Sequence, residues 1–442
     1  MLNIRNFFCG SINKKNNKVI SNTAWLFGER VFTILLTMSL SIVMARYLQA
    51  RDFGIYNFLV SIVTILTPLT ALGLNAVAVK EFVEHKDKEA VIFGTTCFMR
   101  FLGGGVAACI LIFCDYFFNI SGGNLIWITF LSLANIFTCF QVLDFWFQSQ
   151  LNSKMAVISR FSVVLFSSLA KIIALVFFDA TLKTILIIQT LEIIFSGLSF
   201  LCVYSLMGGK ISLWKNDNVL AVSLIKKSWW LILSGVAEII YLKIDQVMLG
   251  SMTGYESVAT YAVAAKLSEA WYFLPNIVMA SFFPLLILEK NKSEKDYMSY
   301  LEKITRRLLM LSIVIAIFVS FFSYPVIHIL YGEEYTESAK ILTIHIWAGV
   351  FVFMRAVLSK WLVIENLLRF SLVTHLSGAV FNVFLNLIFI PSYGAIGASI
   401  STVISYAVSS YFSLLFFKKT QPMGIIMTKA LFSPFLFFIK RG

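Results

Sequence analysis

Twelve apolar stretches, each longer than twenty residues, decide what this chain can become. They lie at roughly 20–44, 53–76, 91–114, 125–147, 157–178 and 185–207, then at 228–250, 258–287, 307–330, 339–362, 370–390 and 394–417. A helix rises about 1.5 Å per residue, so about twenty residues carry it through a hydrocarbon layer of ~30 Å. No water reaches that layer, and a helix satisfies every peptide group within its own segment. Composition agrees, because charged residues fill 13% of the 442 positions against the roughly 25% usual in a soluble domain. The reading is an all-α integral membrane protein with about 12 transmembrane helices. A final apolar patch, Leu431 to Ile439, is too short to span and contains Pro434, so it is expected at the interface.

The net charge of +13 invites a nucleic-acid partner, and its placement argues against one. With the N-terminus in the cytoplasm, the inner segments hold 26 of the 36 Lys and Arg residues, while the outer loops hold Arg46, Arg51, Lys183 and Lys340. That asymmetry is the positive-inside rule, and a wrong helix count would scramble it. Both termini are therefore expected in the cytoplasm, with the basic excess facing anionic lipid. The polar, basic start, Met1 to Ile20, lacks the apolar core and small-residue cleavage site of a signal peptide. Six cysteines (Cys9, Cys97, Cys109, Cys114, Cys139, Cys202) show no C-x-x-C spacing and read as packing residues, with no metal or cofactor implied.

The polar segment 208–227 divides helices 1–6, residues 1–207, from helices 7–12, residues 228–417, and a cytoplasmic or interfacial tail follows at 418–442. The halves echo one another. Val43-Met44 leads to Asp52 and Tyr56, as Val247-Met248 leads to Glu256 and Tyr261; Arg-Phe-Ser opens the fifth span at Arg160 and the eleventh at Arg369. A parallel repeat of this kind is a common plan for transporters, with substrate held near the midplane. Pro68 interrupts the second span, and Pro275 and Pro284 interrupt its repeat partner, the eighth, as candidate hinges of a gate.

Several strings, in order and spacing, resemble one family: Ala45 to Tyr56 (ARYLQARDFGIY), Gly73-Leu74-Asn75, Trp146 to Phe161 (WFQSQLNSKMAVISRF) and Asp245 to Leu267 (DQVMLGSMTGYESVATYAVAAKL). Tyr331-Gly332 before Tyr335 and Pro391 to Ser399 (PSYGAIGAS) complete the pattern. They are similar to the Wzx-type O-antigen flippases, in the polysaccharide-transporter branch of the multidrug/oligosaccharidyl-lipid/polysaccharide (MOP) exporter superfamily. The resemblance implies two six-helix lobes around a central cavity, opening alternately to either side. It also implies an undecaprenyl-diphosphate-linked oligosaccharide repeat unit as substrate, moved from the cytoplasmic to the periplasmic leaflet for O-antigen or lipopolysaccharide biosynthesis. A polymerase and chain-length regulator of that pathway would be partners, and the protein would act as a monomer rather than as an enzyme.

An Arg, Lys or Asp at a helix centre costs about 2.5–3.5 kcal/mol on insertion scales, so charges inside the spans need a reason. A lipid diphosphate supplies one for the cations: Arg30, Lys266 and Arg355 are candidate diphosphate contacts, with Arg100 a weaker addition. In the related lipid II flippases, basic residues on the first and eighth helices line the cavity, and Arg30 and Lys266 occupy similar places. The competing reading is internal pairing, such as Lys266 with Glu269 three residues on. On the seventh helix Ser234, Glu238, Tyr241 and Asp245 share one stripe that suits H⁺ or Na⁺ and would couple transport to an ion gradient. The same carboxylates would suit a cation-coupled drug antiporter of that superfamily. A polymerase or glycosyltransferase fits less well, since the outer loops are short and His85, His328, His345 and His375 lie far apart.

Overall fold

The computed structural model describes the backbone of residues 14–150 and 152–439 and the side chains of 24–150 and 152–432. Residues 1–13, which carry most of the argument against a cleaved leader, lie outside the described residues, as do the side chains of the Pro434 patch. Apart from turns, everything described is helix: α1 (Lys14–Tyr47), α2 (Ala50–Glu84), α3 (Lys86–Phe118), α4 (Leu125–Ser149), α5 (Ser153–Phe178) and α6 (Leu182–Leu206). Then follow α7 (Asn218–Met252), α8 (Tyr255–Lys292), α9 (Glu294–Tyr331) and α10 (Glu337–Ile364). The last apolar helix, Arg369–Leu415, has 47 residues, which is about 70 Å and twice the hydrocarbon thickness. Gly394 breaks it with φ 53° and ψ −132°, giving α11 (369–393) and α12 (395–415). Eleven continuous apolar helices thus make twelve spans, each coinciding with one apolar stretch of the sequence.

Several spans are built in pieces. Pro68 follows the break in α2 at Leu66, in the first turn of the short helix Thr67–Ala71, where a missing N–H costs nothing. The second break in α2 falls at Gly73, in the left-handed region. In α8 the chain unwinds after Glu269 and resumes at Phe273, which places Pro275 in a first turn; Pro284 lies inside the resumed helix. Residues 135–141 of α4 tighten into a 3₁₀ helix, and Val408–Phe412 of α12 form a π-helical turn. Outward faces carry large apolar side chains such as Phe113, Phe117, Phe177, Phe318 and Phe321, all more than half exposed, as lipid contact requires.

The packing forms two units, and they do not follow the chain's midpoint. Among the described residues, one comprises 14–40, 69–119 and 123–229, and the other 41–68, 120–122 and 230–439. In the first, Phe93 stacks on Trp214 at 5.2 Å and 8°, fastening the polar segment after α6 to α3. Lys215 N–H donates to the Ala90 carbonyl at 3.0 Å, and Lys227 donates to Glu81 at 2.7 Å. In the second, the opening segment of α2 lies against the opening segment of α8, its repeat partner. Gly54 permits this approach, since a Cβ there would sit 1.9 Å from the Tyr255 carbonyl oxygen. Ser61 donates to Gln246 at 2.6 Å, and Arg46 caps the end of α9 by donating to the carbonyls of Leu330 at 2.7 Å and Ile329 at 2.5 Å. The tail also begins earlier than its apolar patch suggests: α13 (Gln421–Ile439) buries Met423, Ile426 and Met427 in a core shared with α9 and α10.

Candidate functional site

Within the second unit the bundle interior contains two polar constellations. The first surrounds Arg355 of α10, which is 9% exposed. Its guanidinium donates to Thr374 Oγ1 at 2.7 Å, Ser371 Oγ at 3.1 Å and the Ser409 carbonyl at 3.3 Å, and also to His375 Nε2. Arginine only donates, so His375 Nε2 accepts; the neutral ring then carries its proton on Nδ1 and donates it to the Tyr241 hydroxyl, 3.0 Å away. The Glu238 carboxylate, half exposed, stands 3.9 Å from His375 Nε2. Every direct hydrogen-bond partner of Arg355 among the described residues is therefore neutral, and its Nε has none. A buried cation hydrogen-bonded only by neutral groups, with the Glu238 carboxylate beyond them, keeps the capacity to pair with an anion.

The second constellation surrounds Asp245 of α7, 1% exposed. Its Oδ2 accepts from Thr402 Oγ1 at 2.6 Å and from the Tyr261 hydroxyl at 2.8 Å; its Oδ1 accepts from Asn386 Nδ2 at 2.5 Å. Asn386 Nδ2 also reaches Asn382 Oδ1 at 3.1 Å, and Tyr261 lies 2.9 Å from Thr402. Asp245 forms no ion pair among the described residues, while Asn386 Oδ1 is buried without a hydrogen-bond partner. Three spans, α8, α11 and α12, thus converge hydrogen-bond donors on one buried carboxylate of α7.

The seventh-helix stripe is therefore divided. Tyr241 and Glu238 belong with Arg355, and Asp245 has its own surroundings. Ser234 is half-buried and makes no hydrogen bond among the described residues. Of the other cation candidates, Lys266 lies half-buried in the last turn of the first segment of α8, and Glu269 receives Lys243 at 3.5 Å. Arg30 and Arg100 belong to the first unit. Arg30 is exposed and without an ion pair among the described residues. Arg100 is buried, with one contact to Gln141 Oε1 at 3.3 Å, Phe145 beneath it at 5.4 Å, and Nε and Nη1 unpartnered. Beside Arg30, Glu29 is held by Arg160 in a two-pronged pair at 2.7 and 2.8 Å, and Arg160 reaches Asp144 at 2.5 Å.

Sequence reasoning did not single out His375, Asn382, Asn386 or Thr402. The signal was present: Asn382 and Asn386 stand i, i+4 in an apolar helix, and Ser401, Thr402, Ser405 and Ser409 run as a polar stripe through α12.

Fold and buried charge define a multi-pass membrane protein of the MATE-like architecture. An inward-facing multidrug resistance MATE transporter of the MOP superfamily superposes with a TM-score of 0.73 at 11% identity, over 90% of this chain and 96% of that one. A lipid II flippase in an inward closed conformation gives 0.61 at 15% identity, over 95% and 93%. The chain belongs to the polysaccharide biosynthesis protein family, whose model matches residues 19–288; a MatE model also matches residues 231–388. Two curated relatives are similar over part of their length. A probable low-salt glycan biosynthesis flippase of Haloferax volcanii is 23% identical over 47% of each chain. An uncharacterized membrane protein of Methanocaldococcus jannaschii is 28% identical over 40% of this chain and 35% of its own. The chain thus matches at most about half the length of these relatives.

Proposed function

We propose that the protein is a flippase for a lipid-linked oligosaccharide, moving an undecaprenyl-diphosphate-linked repeat unit between leaflets by alternating access. The observation that carries this reading is Arg355, a buried guanidinium whose direct partners are all neutral. A diphosphate headgroup would pair with Arg355, and Lys266 of the same unit is a second candidate contact; Arg30, in the other unit, is a separate candidate. Family membership supports a glycan pathway, and the similarity to a glycan flippase supports the direction of that reading. Asp245 is the proposed coupling site: a proton or Na⁺ at its carboxylate would relieve a buried, uncompensated charge. A charge moving down 100 mV releases about 2.3 kcal/mol, a useful bias for a bulky cargo.

The test is deletion in the native host, followed by analysis of lipid-linked intermediates and of surface polysaccharide. Expected are polyprenol-linked repeats accumulating inside, rescue by the intact chain, and failed rescue by Arg30→Ala, Lys266→Ala and Arg355→Ala. Unchanged polysaccharide with altered drug sensitivity would instead identify a cation-coupled antiporter.

A further inference from the structure

In the first unit α1 and α5 enclose a recess of about 390 Å³, lined by Ala24, Trp25, Gly28, Glu29, Phe32, Val157 and Phe161. That volume falls within the ~300–1,000 Å³ of small-molecule sites. Trp25, Glu29 and Phe32 stand at i, i+4 and i+7, so one face of α1 presents aromatic, carboxylate, aromatic across about 10 Å. Phe161 meets Phe32 edge-on at 6.4 Å, and Lys154 Nζ lies 5.6 Å from the centre of the Trp25 ring. Trp25 and Phe32 are 42% and 62% exposed, so aromatic carbon is open to an occupant apart from the Trp25 face that Lys154 covers.

Charge and shape narrow the occupant. Among the described residues, the one charged residue lining the recess is Glu29, and no Lys or Arg side chain lines it, so the recess aims a carboxylate rather than a cation at an occupant and disfavours a phosphate. A hydrocarbon chain would cover the Glu29–Arg160 pair with oil and leave its remaining lone pairs unmet, a desolvation cost with no return. Each Glu29 oxygen accepts one Arg160 hydrogen bond and keeps a lone pair for a further donor. A pyranose ring meets both demands: its C–H face lies on aromatic carbon, and its hydroxyl edge donates to carboxylate oxygens.

We infer that this recess is a sugar subsite, holding one pyranose ring of the glycan while the diphosphate is bound elsewhere. The inference rests on the flippase reading and adds a place for the glycan to it. Gly28 makes a clean test, since a Cβ there meets no atom within 4 Å and a larger side chain grows into the recess. Gly28→Leu, Trp25→Ala and the wild type would be placed in nanodiscs and titrated with two probes, a polyprenyl diphosphate carrying one hexose and the bare polyprenyl diphosphate. The wild type should prefer the sugar-bearing probe by about three- to tenfold, the effect of one aromatic stack. Both variants should lose that preference while binding the bare lipid unchanged. Equal wild-type affinity for the two probes overturns the subsite. So do variants that weaken both probes alike, which would make the recess a berth for the lipid chain. If neither probe binds the wild type, the flippase reading fails first and the subsite falls with it.

Discussion

Asp245 and Arg355 are both buried charges, yet removing them should have opposite effects on stability. The direct hydrogen-bond partners of Arg355 are all neutral. Replacing it with Met removes a desolvation cost and leaves hydroxyls that can turn to backbone carbonyls. Arg355→Met should therefore melt at or above the wild-type temperature while transport falls at least tenfold; a lower melting temperature would make Arg355 part of the scaffold. Asp245 accepts from Thr402, Tyr261 and Asn386. Asp245→Ala removes the acceptor that these three donors share and leaves them only their second contacts, so the melting temperature should fall. Asp245→Asn keeps much of the hydrogen bonding, and in proteoliposomes it should abolish any dependence of transport on an imposed Na⁺ or proton gradient. At this scale the sequence shows which charges are dear but not which ones meet. Glu238 and Asp245 share a helical stripe, but Asp245's partners come from α8 and from α11 and α12, more than a hundred residues further on, and no local pattern brings these together.

The twelve spans were almost fully legible, because apolar length is a local property and the membrane sets its scale. Their interruptions were less so. Pro68, Pro275 and Pro284 mark three positions in advance, but two of them sit in first turns and only Pro284 lies within a continuous helix. The sharpest break, between α11 and α12, belongs to Gly394 at φ 53° and ψ −132°, a conformation open to glycine almost alone. Nothing lies within 4 Å of a Cβ placed there, so Gly394→Ala should cost about 1–3 kcal/mol through the backbone alone. Gly105→Ala is the control: it too has open space around it but sits in helical α3, so it should be neutral or stabilising by up to ~1 kcal/mol. Thermal unfolding of the two variants side by side checks the pair, and equal melting temperatures would rule out a strained turn at Gly394.

For the molecule as a whole, the sidedness of Lys and Arg makes a prediction that labelling can check. In a background stripped of the six native cysteines, Asn216→Cys should react with an impermeant maleimide only from the cytoplasmic side, and Asn124→Cys only from outside. Reaction of both from one face would overturn the helix count or the orientation. Unit membership was harder to read from the sequence. A polar run at 208–227 announces a boundary in the chain, whereas the packing of α2 against α8 depends on the bare surface of Gly54, a contact across some two hundred residues.

That packing bears on how the protein can be taken apart. Residues 41–68 are covalently flanked by one unit and packed into the other, so the chain is stitched across rather than laid down as two separate blocks. Cutting at the linker would leave the amino-terminal fragment carrying a strip of surface shaped for a partner it no longer has. Such a fragment should be degraded when expressed alone and rescued by co-expression of the remainder. Any chimera meant to exchange whole units would have to carry residues 41–68 with the carboxy-terminal portion.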